Sequence, residues 1–219
     1  MRKLLKKKPF VLANFSCEMT SIRNLVIVAL LMISCAENDS RQITKMLRRE
    51  VVLPEVSMIQ YTHVHDSHDG RHIQLTEKDI DTTIYLGAKY KIIMYLDPEK
   101  CISCSLDLAR IQDVILYFKD IFPEIEMLLY IYPDDENKIK RKMQIEHYHY
   151  PVFMDTDGRF KKSNTWLPKD QRFHTFLVDK LNRIVAVGSP LNGESIVTLY
   201  QRSITKLESN GGLLEEYRP

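Results

Sequence analysis

Residues 91–104 read KIIMYLDPEKCISC, and this stretch decides the fold. Lys91 to Leu96 is an unbroken apolar and aromatic run of strand length. Without polar alternation, both faces of such a strand are expected to be buried, as in the middle of a parallel sheet. Downstream, Cys104, Leu108, Ile111, Ile115 and Phe118 recur at steps of four, three, four and three, which is one apolar stripe of a helix ending near Pro123. Cys101 and Cys104 are therefore expected at the N-terminus of a helix that follows a buried strand. Unpaired backbone N–H groups and the helix dipole favour a thiolate on Cys101 there, and Lys100 adds a positive charge for thiolate stabilisation. Cys104 lies on the apolar stripe and should be the more shielded partner. An exposed attacker and a buried resolver form the asymmetry that thiol–disulfide exchange requires. A second C-x-x-C would point to zinc, and the chain has none.

Reading on, Glu126 to Tyr132 is a second strand, Asp134 to about His147 a charged helix, and Pro151 to Met154 a short third strand. Asp155 to Gly158 is a turn and Arg159 to Asn164 a short helix or loop. Thr175 to Val178 and Arg183 to Gly188 flank Asp179-Lys-Leu-Asn182 as an antiparallel hairpin. Asn192 can cap a last helix with the apolar face Ile196, Leu199, Tyr200, Ile204 and Leu207. Parallel units followed by a hairpin and a closing helix predict an α/β layer fold.

Composition narrows the class further. With 44% apolar and 27% charged residues, the 219-residue chain is neither disordered nor a multi-span membrane protein. Its formal charge of +2 does not advertise a nucleic-acid partner. Even that excess belongs to the first 34 residues, which hold Arg2, Lys3, Lys6, Lys7, Lys8 and Arg23 against one acid, Glu18. Leu25 to Ile33 is an apolar run of nine, too short for a bilayer that needs about 20 residues. A basic flank, a short apolar core and a small residue beyond it read as a signal peptide over residues 1–34, with Met19 an alternative start. Met32-Ile33-Ser34-Cys35 resembles a bacterial lipoprotein box, which implies lipidation at Cys35 and a polar tether from Ala36 to about Gln42. With Cys17 removed and Cys35 acylated, Cys101 and Cys104 are the remaining thiols, in a compartment where disulfides persist.

From about Asp81 to Leu207 the chain resembles the thioredoxin superfamily, and more narrowly the TlpA-like and peroxiredoxin-related envelope lipoproteins of Gram-negative bacteria. The residues that carry the resemblance are KIIMYLDPEKCISC, the inserted YPVFMDTDGRF and the hairpin HTFLVDKLNRIVAVG. It implies a thioredoxin-like fold with a central mixed sheet flanked by helices, Cys101 as nucleophile and Cys104 as resolving thiol. Several family features are replaced here. Phe173, followed by His174, stands at the cis-proline position; Lys100 and Ile102-Ser103 replace the usual aromatic residue and Gly-Pro; Tyr95 replaces the buried acid, for which Asp97 and Glu99 are the neighbouring candidates.

Between tether and domain, residues 35–80 should form an N-terminal β extension, with Glu50 to Pro54 an edge strand and a hairpin from Ser57 to Val64 and back through Arg71 to Leu75. His63, His65, His68 and His72 cluster there, with His72 expected opposite the others; such a cluster can bind zinc or copper, although an exposed polar hairpin is the plainer reading. His147 and His149 read as surface or packing, and Trp166 as packing or a border of the redox site. Residues 208–219 read as a frayed tail. Three functions stay open: an envelope oxidoreductase facing the periplasm or cell surface, a copper- or zinc-handling protein using Cys101, Cys104 and His174, and a weakly catalytic binding lipoprotein. The first implies client protein thiols and an envelope redox donor as partners, with the membrane reached through the lipid anchor. No cofactor or nucleic-acid motif is present. Strand alternation puts His174 and Phe176 on one face and Phe173 and Thr175 on the other, and Phe173 is expected to turn toward the sulfurs.

Overall fold

A computed structural model describes residues 36–64, 72–76, 82–97 and 106–214. The chain divides into two units, residues 1–42 and 43–219. In the first, residues 36–42, expected as a polar tether, are helical, and Arg41 pairs with Glu37 one turn before it. The helix, α1, runs through residues 36–46.

The second unit is built on one seven-stranded sheet in the order β2-β1-β5-β4-β3-β6-β7. The strands are β1 (Ser57–Val64), β2 (His72–Thr76), β3 (Tyr90–Leu96), β4 (Ile125–Ile131), β5 (Val152–Met154), β6 (Thr175–Val178) and β7 (Ile184–Val187). β3 runs parallel to β4 and antiparallel to β6, and β4 runs parallel to β5. This is the thioredoxin-like α/β architecture, with the expected extension β1–β2 added antiparallel to β5.

Every residue of β3 but the last is buried, which is why its sequence shows no alternation. Ile92 and Met94 face a cluster filled by α3 (Leu108–Ile121), α4 (Glu136–Ile145) and α6 (Glu194–Ser209). Leu108, Ile111, Ile115 and Phe118 of α3 are buried there, as their spacing predicts. Ile93 and Tyr95 face the other side, where Phe160 of α5 (Arg159–Ser163), Phe173, Phe176, Met46 and Val51 pack. A four-residue helix, α2 (Thr83–Leu86), leads into β3.

Four expectations change. Glu50–Pro54 is not a strand: Glu50 forms one bridge to Arg183. Val52 donates its N–H to the side-chain oxygen of buried Asn164 (2.9 Å), and its C=O accepts from the Asn164 side-chain nitrogen (2.8 Å). Asn192 does not cap α6, because it closes a 3-10 turn and Gly193, at φ +136°, starts the helix. Leu199 is exposed while Tyr200, Ile204 and Leu207 are buried. The stretch 208–214 is held rather than frayed. The amide of Gly212 donates to Leu207, that of Lys180 to Gly212, and that of Leu214 to the Asp179 carboxylate. Gly212 sits at φ +84° with Lys89 where a Cβ would be, so only glycine closes this turn.

Lys91 is the buried cation of β3. Its ammonium donates to the Ala88 carbonyl at 2.8 Å, and burial lowers its pKa to about 8, against the opposing pull of Asp179. Between about 8 and its ordinary 10.5 the unfolded chain keeps a proton that the folded protein has released. Stability should therefore rise with pH from about 8, by about 1 kcal/mol, until exposure of the buried tyrosines reverses it above about pH 10. Urea midpoints between pH 7.5 and 9.5 test this, and Lys91→Met should flatten the rise. A slope that survives Lys91→Met would refute the assignment.

Candidate active site

Cys35, Lys100, Cys101 and Cys104 lie outside the described residues. Their chain neighbours are described: Asp97 follows β3 directly, and Leu106 and Asp107 lead into α3. Asp97 and Leu106 both line a cavity of about 290 Å³ at the carboxyl end of β3. Its other walls include Met94 and Leu96 of β3, Ile111 of α3, Gln171, and Leu191 beyond β7. In a sheet of parallel strands the carboxyl ends are where loops converge and ligands are taken.

Asp97 is 5% exposed. The Lys161 ammonium on α5 donates to its carboxylate, and the Gln171 side chain donates to its carbonyl at 3.4 Å. Asp97 is thus a buried acid held in an ion pair. Tyr95 itself stacks on Phe160, with ring centroids 4.7 Å apart.

The loop that carries Phe173 and His174 is placed by a short turn. Asp170 caps the 3-10 segment Gln171–Phe173 by accepting the Arg172 amide, and the Arg172 guanidinium beside it holds the Asp170 carboxyl below its usual range. All peptides are trans among the described residues. Because Phe173 lies in a turn, strand alternation does not reach it. Phe173 and Phe176 share one cluster, contrary to the expected opposite faces. Among the described residues Phe173 contributes nothing to the cavity lining, whereas Gln171 of the same loop does.

His174 is 1% exposed, and the Tyr95 amide donates to its carbonyl at 2.9 Å, tying the loop to β3. Its Nε2 lies 2.7 Å from the Pro168 carbonyl, so the proton sits on Nε2, and Nδ1 has no partner among the described residues. Burial lowers its pKa, with the Pro168 carbonyl and Asp97 opposing, so the ring is neutral at pH 7. Of the copper or zinc set Cys101, Cys104 and His174, only His174 is described. Among the described residues no group of three ligating side chains comes together. In the β1–β2 hairpin the register pairs His63 with Ile73 and His72 with Val64, so His72 is not the cross-strand partner of His63. His65 and His68 lie outside the described residues. Trp166 packs on Phe176 at 6.0 Å between centroids, His147 is exposed and Tyr148 is buried.

Lys161 and Gln171 escape sequence reasoning. Lys161 sits in a run of basic residues with no local sign of its partner. Asp107 escapes it too: the stripe is expected to begin at Cys104, but α3 begins at Leu108 with Asp107 as its N-cap.

No family model matches the chain, and no curated protein does. Solved structures do. A thioredoxin-family thiol:disulfide interchange protein from Chlorobium tepidum is similar at 12% identity over 71% of this chain and 98% of that one, with a TM-score of 0.40. An uncharacterised thioredoxin-like protein from Porphyromonas gingivalis is similar at 17% identity over 78% of this chain and the whole of that one, with a TM-score of 0.41. A peroxidoxin from Mycobacterium tuberculosis is similar at 10% identity over 74% of this chain and 98% of that one, also at 0.41.

Proposed function

We propose that this chain is an envelope thiol–disulfide oxidoreductase that exchanges a Cys101–Cys104 disulfide with client protein thiols. One observation carries the reading: the C-x-x-C belongs to the eight-residue link between Asp97 and Leu106, both of which line the cavity at the carboxyl end of a parallel strand. In the reducing direction the Cys101 thiolate attacks one sulfur of a client disulfide, forming a mixed disulfide and releasing a client thiolate, which takes a proton. The Cys104 thiolate then attacks the Cys101 sulfur and releases the second client thiol. The client gains two electrons and the chain is left with a Cys101–Cys104 disulfide. Run backwards, the same steps oxidise a client. An envelope redox donor resets the pair.

The reduction potential of the pair, with Cys101→Ser and Cys104→Ser as controls, tests this. A single two-electron couple that disappears in both variants supports it. Failure of the wild-type protein to form an intramolecular disulfide sinks it.

The chain is also proposed to be held to the membrane by a lipid on Cys35, facing the periplasm or the cell surface. Among the described residues no helix is long and apolar enough to cross a membrane. Mass spectrometry of the mature protein should find acylated Cys35 as the first residue, and Cys35→Ala should release the chain from the membrane fraction. A mature N-terminus at Met1 or Met19 defeats this.

A further inference from the structure

The chain holds two Asn-Gly pairs, Asn192-Gly193 and Asn210-Gly211. In such a pair the backbone nitrogen of the glycine can attack the side-chain carbonyl carbon of the asparagine, because glycine has no Cβ to hinder the approach. The attack requires a side-chain amide free to turn toward the chain and a backbone N–H that donates to nothing. Folding usually removes the second condition, since almost every buried backbone amide is paired.

Both asparagines are exposed, and nothing lies within 4 Å of where a Cβ would be on either glycine. Access is equal; hydrogen bonding is not. The Asn210 side-chain nitrogen donates to the Leu213 carbonyl at 2.9 Å, and the Gly211 amide donates to the Glu208 carbonyl at 3.4 Å. Both reacting groups of that pair are therefore held. Among the described residues neither the Asn192 side chain nor the Gly193 amide has a hydrogen-bond partner. The fold accounts for this. Asn192 ends the 3-10 turn Pro190–Asn192, and its own amide donates to the Ser189 carbonyl at 2.9 Å. Gly193, at φ +136°, then leaves that turn to open α6. Its carbonyl accepts the amides of Ile196 and Val197, but its N–H belongs to neither element.

We propose that Asn192 is a site of spontaneous deamidation in the folded protein, and that Asn210 is protected. The Gly193 nitrogen gives its proton to hydroxide and bonds to Cγ of Asn192. The Cγ–Nδ2 bond breaks, and the departing nitrogen takes a proton from water and leaves as ammonia. The cyclic imide that remains is opened by water, at the side-chain carbonyl to give aspartate or at the backbone carbonyl to give isoaspartate. The net change is amide plus water to acid plus ammonia, with nothing oxidised or reduced. Either product places a carboxylate on the rim of the cavity that Arg110 also lines, one residue from the Leu191 carbonyl that the Arg110 guanidinium holds at 2.5 Å. Isoaspartate also lengthens the backbone between β7 and α6. The proposal is independent of the thiol chemistry.

Peptide mapping by mass spectrometry of the full folded chain, sampled over time in mildly alkaline buffer, reads the replacement of –NH2 by –OH at each asparagine. Asn192 should convert several-fold faster than Asn210, giving both aspartate and isoaspartate, and the rate should rise with pH. In concentrated urea, where the hydrogen bonds of Asn210 and Gly211 are gone, the two rates should converge. Asn192→Gln, whose longer side chain disfavours the five-membered ring, should abolish the reaction at this position and leave Asn210 unchanged. An Asn192 that keeps its amide as long as Asn210 does in the folded protein would overturn the proposal. So would a preference for Asn192 that persists undiminished in urea, since the fold would then not be its cause. Both of these measurements use the unsubstituted protein.

Discussion

Cys101→Ser should reduce thiol–disulfide exchange to background, because a hydroxyl cannot form the mixed disulfide through which the electrons pass. Cys104→Ser should behave differently. It leaves the attacking thiol in place and removes the group that resolves the first adduct, so mixed disulfides with client proteins should accumulate and be recoverable under non-reducing conditions. The expected order of the two thiols rests on the sequence, in which Cys101 is the one beside Lys100. Alkylation of the reduced protein should accordingly label Cys101 first. Preferential labelling of Cys104, or no trapped adduct in Cys104→Ser, would count against the enzyme and favour a binding role.

Asp179→Ala is expected to be the most damaging single change in the described core. The Asp179 carboxylate has no exposure to solvent. It accepts the amides of Leu181 (3.0 Å), Arg183 (2.9 Å) and Leu214 (3.0 Å), and the Arg183 guanidinium at 2.8 Å. One side chain thus closes the β6–β7 turn, anchors the end of the chain beyond α6 and opposes the buried charge of Lys91. Truncating it leaves those donors and a buried cation unanswered, a loss of about 3–5 kcal/mol. For a chain of this size that is a fall in Tm of roughly 6–20 °C. Asp179→Asn should retain part of the hydrogen bonding without the charge and fall between. Thermal unfolding of the three proteins at pH 7 decides it, and a Tm for Asp179→Ala within 2–3 °C of wild type, roughly the effect of 1 kcal/mol, would remove Asp179 from this role.

The element order of the domain was legible in the sequence because it rests on local periodicity. An unbroken apolar run, a 3-4-3 stripe and two short alternating runs around a polar turn report which faces are buried without reference to what buries them. That is enough to place β3, α3, β4, α4, β5 and the β6–β7 hairpin, and to put the C-x-x-C on the link between a buried strand and a helix. It fails wherever the partner is distant in sequence. Val52 resembles a strand residue, yet its backbone is satisfied by Asn164, which lies 112 positions away. The loop at Phe173 looks like the start of a strand, but the Asp170 cap turns it into a 3-10 segment and sends Phe173 into the same cluster as Phe176. The residues beyond Leu207 look like a loose end until Asp179 collects the Leu214 amide. Around the candidate site the sequence determined the chemistry on offer, two thiols at a three-residue spacing. The tertiary structure decided its electrostatic surroundings, because Asp97 meets Lys161 only when the sheet brings the ends of separate elements together.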